Sequence, residues 1–207
     1  MVKSRFVLSI ACPALLAVSG GLWLLGAADK DEQFRPEPAA NYSSKQTIQK
    51  VTIAWDQYEE EDRAKAAFSK LDPNQYGILP VLIVIQNDSA ETIRLDNVRA
   101  LYIWPDGTKV EPIPAADVPY IQGPSKPKVS AGPIPGRVAL GRKKNKLAGG
   151  QIDVRAFSAK LLPPGESASG FLYFLTGPRR ESSLYLTGLT EASSGNELFY
   201  FEIPLKK

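Results

Sequence analysis

The most apolar run after the N-terminal segment is Gly77-Ile78-Leu79-Pro80-Val81-Leu82-Ile83-Val84-Ile85. Its residues are rich in β-branched types, and the turn-forming Asn87-Asp88-Ser89 follows it. A strand that is apolar at every position is typical of one covered on both faces, and Pro80 lies near its start, where proline is tolerated. The run therefore predicts the central strand of a sheet.

Shorter strands are predicted on either side of this run. Val51, Ile53 and Trp55 alternate with less apolar residues, which is the period of a half-buried strand. A predicted strand at 98–104 is followed by the turn-forming Pro105-Asp106-Gly107 and a second strand at 109–113. This pattern predicts a hairpin. The remaining predicted strands lie at 170–176, 183–187 and 197–205.

Two segments have helical character. At 58–71 acidic residues come first and apolar residues recur at helical spacing, which predicts a short amphipathic helix. The segment 151–162 fits a strand or a helix about equally, and we favour the strand. Seven or eight short strands with turns between them and one helix predict an all-β fold, mainly β with one short helix, arranged as an antiparallel sandwich.

The composition excludes several kinds of chemistry. The chain has no histidine, and its one cysteine, Cys12, lies in the apolar N-terminal segment. Nucleophile pairs with histidine, histidine bases and Cys/His metal sites are therefore excluded, and no intramolecular disulfide can form. We expect no enzyme activity, no cofactor and no metal site. Carboxylate pairs such as Asp56 with Glu59, or Asp153 with Glu166, keep a hydrolase open as an alternative.

The N-terminus has the charge pattern of a secretory leader. Lys3 and Arg5 precede an uncharged stretch of 23 residues at 6–28. Gly26 and Ala28 are small residues of the kind that a cleavage site needs, whereas the length of the stretch exceeds the roughly 20 residues that cross a bilayer. Either a cleaved signal peptide or a retained anchor is therefore predicted, and both place the rest of the chain outside the cytoplasm, in the periplasm or at the cell surface.

Three parts follow from this pattern. Residues 1–28 form the signal peptide or membrane anchor, the polar segment 29–46 forms a linker, and 47–207 form the β-sandwich domain. Within the domain, 114–150 are dense in proline and glycine and predict a long loop.

The segment 114–150, called the basic loop below, carries an excess of positive charge. Between Asp117 and Asp153 there are seven basic residues and no acidic one, so the rest of the exported chain is net acidic. One interpretation is contact with an anionic surface, either lipid headgroups or an acidic polymer. The other is a solvated loop that keeps the protein soluble. The candidate residues are Lys126, Lys128, Arg137, Arg142, Lys143, Lys144 and Lys146.

Two turns carry a resemblance to a known group of proteins. The apolar strand ends in Gln86-Asn87-Asp88, and much later Leu161-Leu162-Pro163-Pro164-Gly165-Glu166 precedes an aromatic strand at 170–174. Over about 30 residues this arrangement resembles exported bacterial immunoglobulin-like β-sandwich domains of uncharacterised function. The resemblance implies an immunoglobulin-like fold and an exported location, and it carries over no catalytic residue. The basic loop and the helix at 58–71 depart from the simple pattern of that group.

These observations together predict a non-enzymatic binding or assembly module of the cell envelope. Its expected partners are an envelope protein, or an anionic polymer or lipid surface, with the membrane reached through 6–28. Nucleic acid is not expected, because the basic loop lacks the interleaved aromatic residues that stack on bases. The alternatives are a carboxylate-dependent hydrolase of envelope polymers and an accessory subunit of an envelope machine.

Overall fold

In the structure, a computed structural model, residues 34–122, 144–149 and 151–206 are described. They belong to one unit of the chain, Phe34–Lys207. Within these ranges the strands pair antiparallel and helices are few and short, which confirms the predicted mainly β class. The strands are β1 (Lys45–Ile48), β2 (Val51–Gln57), β3 (Leu79–Asn87), β4 (Ile93–Arg94), β5 (Arg99–Ile103), β6 (Lys109–Val110), β7 (Pro112–Ile113), β8 (Leu161–Leu162), β9 (Ser167–Phe174), β10 (Ser183–Thr187), β11 (Thr190–Glu191) and β12 (Phe201–Pro204).

The helices are short. Helix α1 (Glu61–Ala67) lies inside the predicted 58–71 segment, with Glu61 and Asp62 in its first turn, where the helix dipole favours acidic side chains. The preference for a strand over 151–162 is wrong at its start, where helix α2 (Ile152–Arg155) forms before the short strand β8. The 3₁₀ helices span Ala39–Asn41, Pro73–Tyr76, Ala115–Tyr120 and Lys146–Gly149.

The larger strands form two sheets. The five-stranded sheet has the order β1-β2-β3-β9-β7, and the four-stranded sheet has the order β12-β10-β5-β6. A small third sheet joins β11, β4 and β8. The predicted hairpin is confirmed, because Tyr102 pairs with Val110 and Ile103 with Lys109 across the turn at 104–108.

Two hydrophobic cores lie on opposite faces of the five-stranded sheet. The core between the two large sheets includes Trp55, Tyr102 and Phe201, each fully buried. The second core lies on the outer face, where helices and the segment 34–44 cover the sheet, and it includes Phe68 and Phe171. The domain therefore has three layers: the four-stranded sheet, the five-stranded sheet, and a layer of helices and irregular chain.

The central strand β3 is apolar on both faces because it contributes to both cores. Leu79, Val81, Ile83 and Ile85 belong to the core between the sheets. The alternate residues, including Leu82, belong to the outer core. Since successive side chains in a strand point to opposite faces, a strand between two cores must be apolar at every position, as the sequence predicts.

The edges of the two sheets meet on both sides of the sandwich. The predicted strand 109–113 divides at Glu111, so that β6 joins the four-stranded sheet and β7 joins the five-stranded sheet. On the other side the Gln46 side chain of β1 accepts a hydrogen bond of 3.0 Å from the Glu202 backbone N–H of β12. These edges are thus partly covered within the domain itself.

The domain begins earlier than the boundary predicted at residue 47. Residues 34–44, called the strap below, lie in the predicted linker 29–46, yet Ala39 and Ser44 are buried. Phe34 packs on Phe171 with ring centroids 5.4 Å apart, and the Ser44 hydroxyl accepts a hydrogen bond of 2.7 Å from the Lys206 N–H. The strap is therefore part of the folded domain, since its apolar side chains complete the outer core.

The two turns that carry the family resemblance are in direct contact. The Asn87 N–H donates to the Glu166 carbonyl at 3.0 Å, and the Gly165 N–H donates to the Asn87 carbonyl at 2.7 Å. The buried Asn87 side chain donates to the Leu162 carbonyl at 2.9 Å and accepts from the Ser89 N–H at 3.1 Å. The asparagine at the end of β3 thus holds the proline-rich turn that precedes β9.

Candidate functional site

Only part of the predicted anionic-surface site lies in the described residues. Lys144 and Lys146 are described, and both side chains are exposed. The other five predicted residues lie outside the described residues: Lys126, Lys128, Arg137, Arg142 and Lys143.

Asn145 closes the base of the basic loop. Its side-chain amide donates to the carbonyl oxygens of Val118 at 3.0 Å and Ile121 at 2.7 Å, and its backbone N–H donates to the Pro119 carbonyl at 2.7 Å. Its side-chain oxygen accepts from the Leu147 N–H at 2.8 Å. These hydrogen bonds join residues 118–121 to residue 145.

The base of the basic loop belongs to the outer layer of the domain. Val118 and Leu147, on its two sides, are buried in the outer core together with Ile152 of α2. Beside it, the Lys144 ammonium lies 5.6 Å from the centre of the Tyr120 ring, within the range of a cation–π contact. Apolar residues on both sides of the base thus hold it against the outer core.

A polar pocket, called the strap pocket below, forms where the strap meets the end of β2 and α1. Its volume is about 350 Å³. The strap supplies one wall, and its position is fixed by Phe34 in the outer core and by the Ser43 hydroxyl, which donates to the Lys206 carbonyl at 2.6 Å. The polar lining includes Arg35, Glu37, Asn41, Tyr42, Asp56 and Arg63.

An ion pair between Arg63 and Asp56 lies in the strap pocket. The Arg63 guanidinium donates to the Asp56 carboxylate at 2.6 Å and lies 4.3 Å from the centre of the Tyr58 ring. Both side chains of the ion pair are partly exposed, at 41% for Arg63 and 29% for Asp56. Asp56, which the sequence offered as a hydrolase carboxylate with Glu59, is therefore occupied in an ion pair that holds Arg63 in place.

Tyr42 contributes a hydroxyl group to the pocket. Its oxygen accepts a hydrogen bond of 3.2 Å from the Glu37 N–H. Burial raises the pKa of Tyr42 to about 12, so its phenol stays protonated near neutral pH. The hydroxyl can therefore donate its own proton to a ligand.

The strap pocket was not predicted from the sequence. Its residues come from three segments that are separate in the chain, and the first of them was assigned to the linker. The available signal was the presence of the aromatic residues Phe34 and Tyr42 in an otherwise polar segment. Aromatic side chains in such a segment indicate packing against a domain, because they bury large apolar areas.

A third feature lies on the outer face of the four-stranded sheet. Tyr185 pairs with Leu101 across β10 and β5, and these side chains point away from the core that Leu184 and Tyr102 enter. A groove of about 490 Å³ lies over both. Nearby, Tyr200 stacks on Tyr185 with centroids 5.4 Å apart.

The C-terminal strand accounts for the exposed aromatics beside this groove. Phe201 and Ile203 are buried, whereas Phe199 precedes β12 and is 71% exposed. Tyr200 is 56% exposed. The strand predicted at 197–205 begins only at Phe201, so Phe199 is not held on the buried face.

We expect the buried tyrosines to make the domain sensitive to alkali. Burial raises the pKa of Tyr42 to about 12 and also raises the pKa values of Tyr58, Tyr102 and Tyr173. Because each folded-state pKa exceeds the unfolded value of about 10, the stability from the protonated phenols is complete below pH 10 and is lost as the pH rises towards 12. Ultraviolet titration of tyrosinate with parallel urea unfolding measures this. Ionisation of all the tyrosines near pH 10 without unfolding would contradict it.

Comparisons with known proteins give no family. No protein-family model matches the chain. No curated protein matches it. The secreted protein MPT63 of Mycobacterium tuberculosis is similar in structure, with a TM-score of 0.35 and 14% identity over 77% of this chain and 92% of that chain. The Northeast Structural Genomics Consortium target SoR45 has a TM-score of 0.34 and 13% identity over 75% of this chain and 84% of that chain. At these values neither likeness assigns a family.

The membrane segment predicted at 6–28 lies outside the described residues. Among residues 34–122, 144–149 and 151–206, no helix has the length and apolar character needed to cross a bilayer.

Proposed function

We propose that this chain is a non-enzymatic binding or assembly module of the bacterial cell envelope. Its immunoglobulin-like domain lies outside the cytoplasm, and the segment 6–28 acts as signal peptide or membrane anchor. The basic loop contacts an anionic polymer or lipid surface. The alternatives are a carboxylate-dependent hydrolase and an accessory subunit of an envelope machine.

Strand order supports an immunoglobulin-like domain. In that fold one sheet has the strands A, B, E and D, and the other has C, F and G, with C′ beside C in the variable type. Here β2, β3, β9 and β7 follow the first order, and β12, β10, β5 and β6 follow the order G, F, C, C′. Strand β1, the third sheet and the outer layer of helices are additions to this arrangement.

The observation that carries the proposal is the concentration of positive charge in the basic loop. Seven basic residues and no acidic residue lie between Asp117 and Asp153. The hydrogen bonds of Asn145 to Val118 and Ile121 join the two described ends of this segment. A local excess of positive charge attracts anionic surfaces, and each Lys or Arg near such a surface contributes about 1 kcal/mol.

Each alternative has a specific observation in its favour. The accessory-subunit alternative is supported by the exposed aromatic residues Phe199 and Tyr200 beside the groove on the four-stranded sheet, since such residues are enriched at protein interfaces. The hydrolase alternative is supported by the two carboxylates of the strap pocket, Glu37 and Asp56. The ion pair of Asp56 with Arg63 favours a binding role for that pocket over a catalytic one.

The test is binding to lipid vesicles by the form that starts at Asp29, which retains all the residues of both cores. We expect binding to vesicles that contain phosphatidylglycerol, and weaker binding as salt rises, because salt screens exposed charges. Replacing Arg142, Lys143, Lys144 and Lys146 by serine is expected to lower the affinity at least roughly tenfold. Co-sedimentation at several salt concentrations measures this.

A matched variant removes the same charge elsewhere. Lys50, Lys109, Lys160 and Arg180 are exposed and lie outside the basic loop. Their replacement by serine is expected to leave most of the binding intact. Equal binding by the loop variant and the wild type would reject a lipid surface as the target. The same comparison of variants, with a soluble acidic polymer in place of vesicles, tests whether the partner is an anionic polymer.

A further inference from the structure

We propose that the strap pocket is a binding site for a neutral, hydroxyl-rich ligand, namely one sugar unit of an envelope glycan. This proposal is independent of the basic loop, because the strap pocket is built from other residues. It assigns a role to a part of the chain that the sequence pattern placed in a linker.

The size of the pocket suits one small ligand. Ligand sites commonly range from about 300 to 1,000 Å³, and the strap pocket, at about 350 Å³, lies at the small end. Its walls are already held in place, since Phe34 packs on Phe171 and the Ser43 hydroxyl is bonded to the Lys206 carbonyl. A site that is formed before binding loses little entropy when the ligand enters.

The charge of the pocket favours a neutral ligand. Two basic side chains, Arg35 and Arg63, are balanced by two acidic side chains, Glu37 and Asp56. The ion pair between Arg63 and Asp56 has a length of 2.6 Å, so the Arg63 charge is neutralised inside the site. An anion such as phosphate would have to compete with a carboxylate for that guanidinium, and a metal ion would have to displace it.

Hydrogen-bonding groups of both kinds face the pocket. The Tyr42 hydroxyl accepts from the Glu37 N–H, and among the residues that the structure describes its own proton has no acceptor. The Asn41 side chain is exposed and offers a donor and an acceptor, and Asp56 offers carboxylate oxygens. Sugar hydroxyls donate and accept at once, so they can bond to a mixed set of this kind. The partly buried ring of Tyr42 supplies apolar surface for the C–H groups of a sugar.

The test is an NMR titration of the isotopically labelled form that starts at Asp29. The probes are N,N′-diacetylchitobiose and cellobiose, two neutral disaccharides. The comparisons are inorganic phosphate, an anion, and glycine, a zwitterion. We expect at least one disaccharide to shift backbone signals of the strap, β2 and α1, and to do so at lower concentration than phosphate or glycine. No shift with either disaccharide at millimolar concentrations, or tighter binding of phosphate or glycine, would overturn the proposal.

Variants locate the site. Tyr42→Phe keeps the ring and removes the hydroxyl, and it is expected to weaken disaccharide binding roughly five- to tenfold. Asn41→Ala changes an exposed side chain, so the domain should fold normally and still bind less well. The matched control is Tyr200→Phe, which removes a hydroxyl from an exposed tyrosine beside the other sheet. Wild-type affinity in both pocket variants would show that the disaccharide binds elsewhere.

Discussion

Replacing Gly170 by alanine is expected to destabilise the domain by roughly 2–4 kcal/mol. A Cβ at this position in β9 would lie 2.5 Å from the Phe157 Cα and 2.7 Å from the Phe157 N. Both are backbone atoms, so no side-chain rotation can relieve the contact. The Phe157 N–H donates to the Phe171 carbonyl at 3.0 Å, and this hydrogen bond holds the two segments at the distance that the methyl group would forbid.

Urea unfolding of the form that starts at Asp29 measures this effect through the midpoint of the transition. Gly177→Ala is the matched control, because a Cβ there meets nothing within 4 Å. We expect the Gly177 variant to unfold near the wild-type midpoint and the Gly170 variant well below it. Equal midpoints for the two variants would contradict the close packing at Gly170.

Replacing Asn87 by alanine is expected to lower the free energy of unfolding by about 2–4 kcal/mol. The Asn87 side chain is fully buried. It donates to the carbonyl oxygens of Glu91 at 2.8 Å and Leu162 at 2.9 Å, and it accepts from the Ser89 hydroxyl at 2.6 Å. Alanine would remove these hydrogen bonds, including the buried one to the Leu162 carbonyl, although the Ser89 hydroxyl could still donate to the Glu91 carbonyl at 3.1 Å. Losing a hydrogen bond to a buried carbonyl is costly.

The control for Asn87→Ala is Gln86→Ala, one residue earlier in β3. The Gln86 side chain makes longer, exposed hydrogen bonds, of 3.2 Å to Asp88 and 3.4 Å to the Gly165 carbonyl. Its removal is expected to change stability by well under 1 kcal/mol, as is usual for surface substitutions. If the two variants lose similar stability, the Asn87 side chain does not hold the turns together.

The two turns on which the resemblance rests are joined by these contacts. An asparagine at the end of one strand and a Pro-Gly-Glu turn before another are far apart in sequence, yet their backbones exchange two hydrogen bonds. Neither motif contains information about its partner. The two motifs come into contact only in the folded domain.

The functional residues were only partly predictable. The basic loop is visible in the sequence because charge composition needs no knowledge of contacts. The strap pocket is not, because Tyr42 and Arg63 become neighbours only when the strap packs against β2 and α1. The role of Asp56 changes for the same reason, since the sequence shows a carboxylate and the structure shows its ion pair with Arg63.

The features that depend on local pattern could be predicted from the amino-acid sequence alone. The apolar run at 77–85 specifies a strand covered on both faces, since alternate residues enter two cores. The turn at Pro105-Asp106-Gly107 specifies the hairpin, and Gly107 has a φ of +83°, a value that glycine adopts without strain. The acidic start and helical spacing of 58–71 likewise specify α1.

The features that depend on partners distant in sequence are set by packing in the folded domain. The turn between β1 and β2 has positive φ at Gln49 and Lys50, where local rules favour glycine or asparagine, so this hairpin had no sequence signal. The helix α2 forms where the strand and helix patterns were balanced, and the Tyr173 hydroxyl donates to the Ile152 carbonyl at 2.8 Å. Phe34 is partly buried against Phe171, which comes much later in the chain. In each case the stabilising contacts join residues that are far apart in the chain, so a local sequence pattern cannot indicate them.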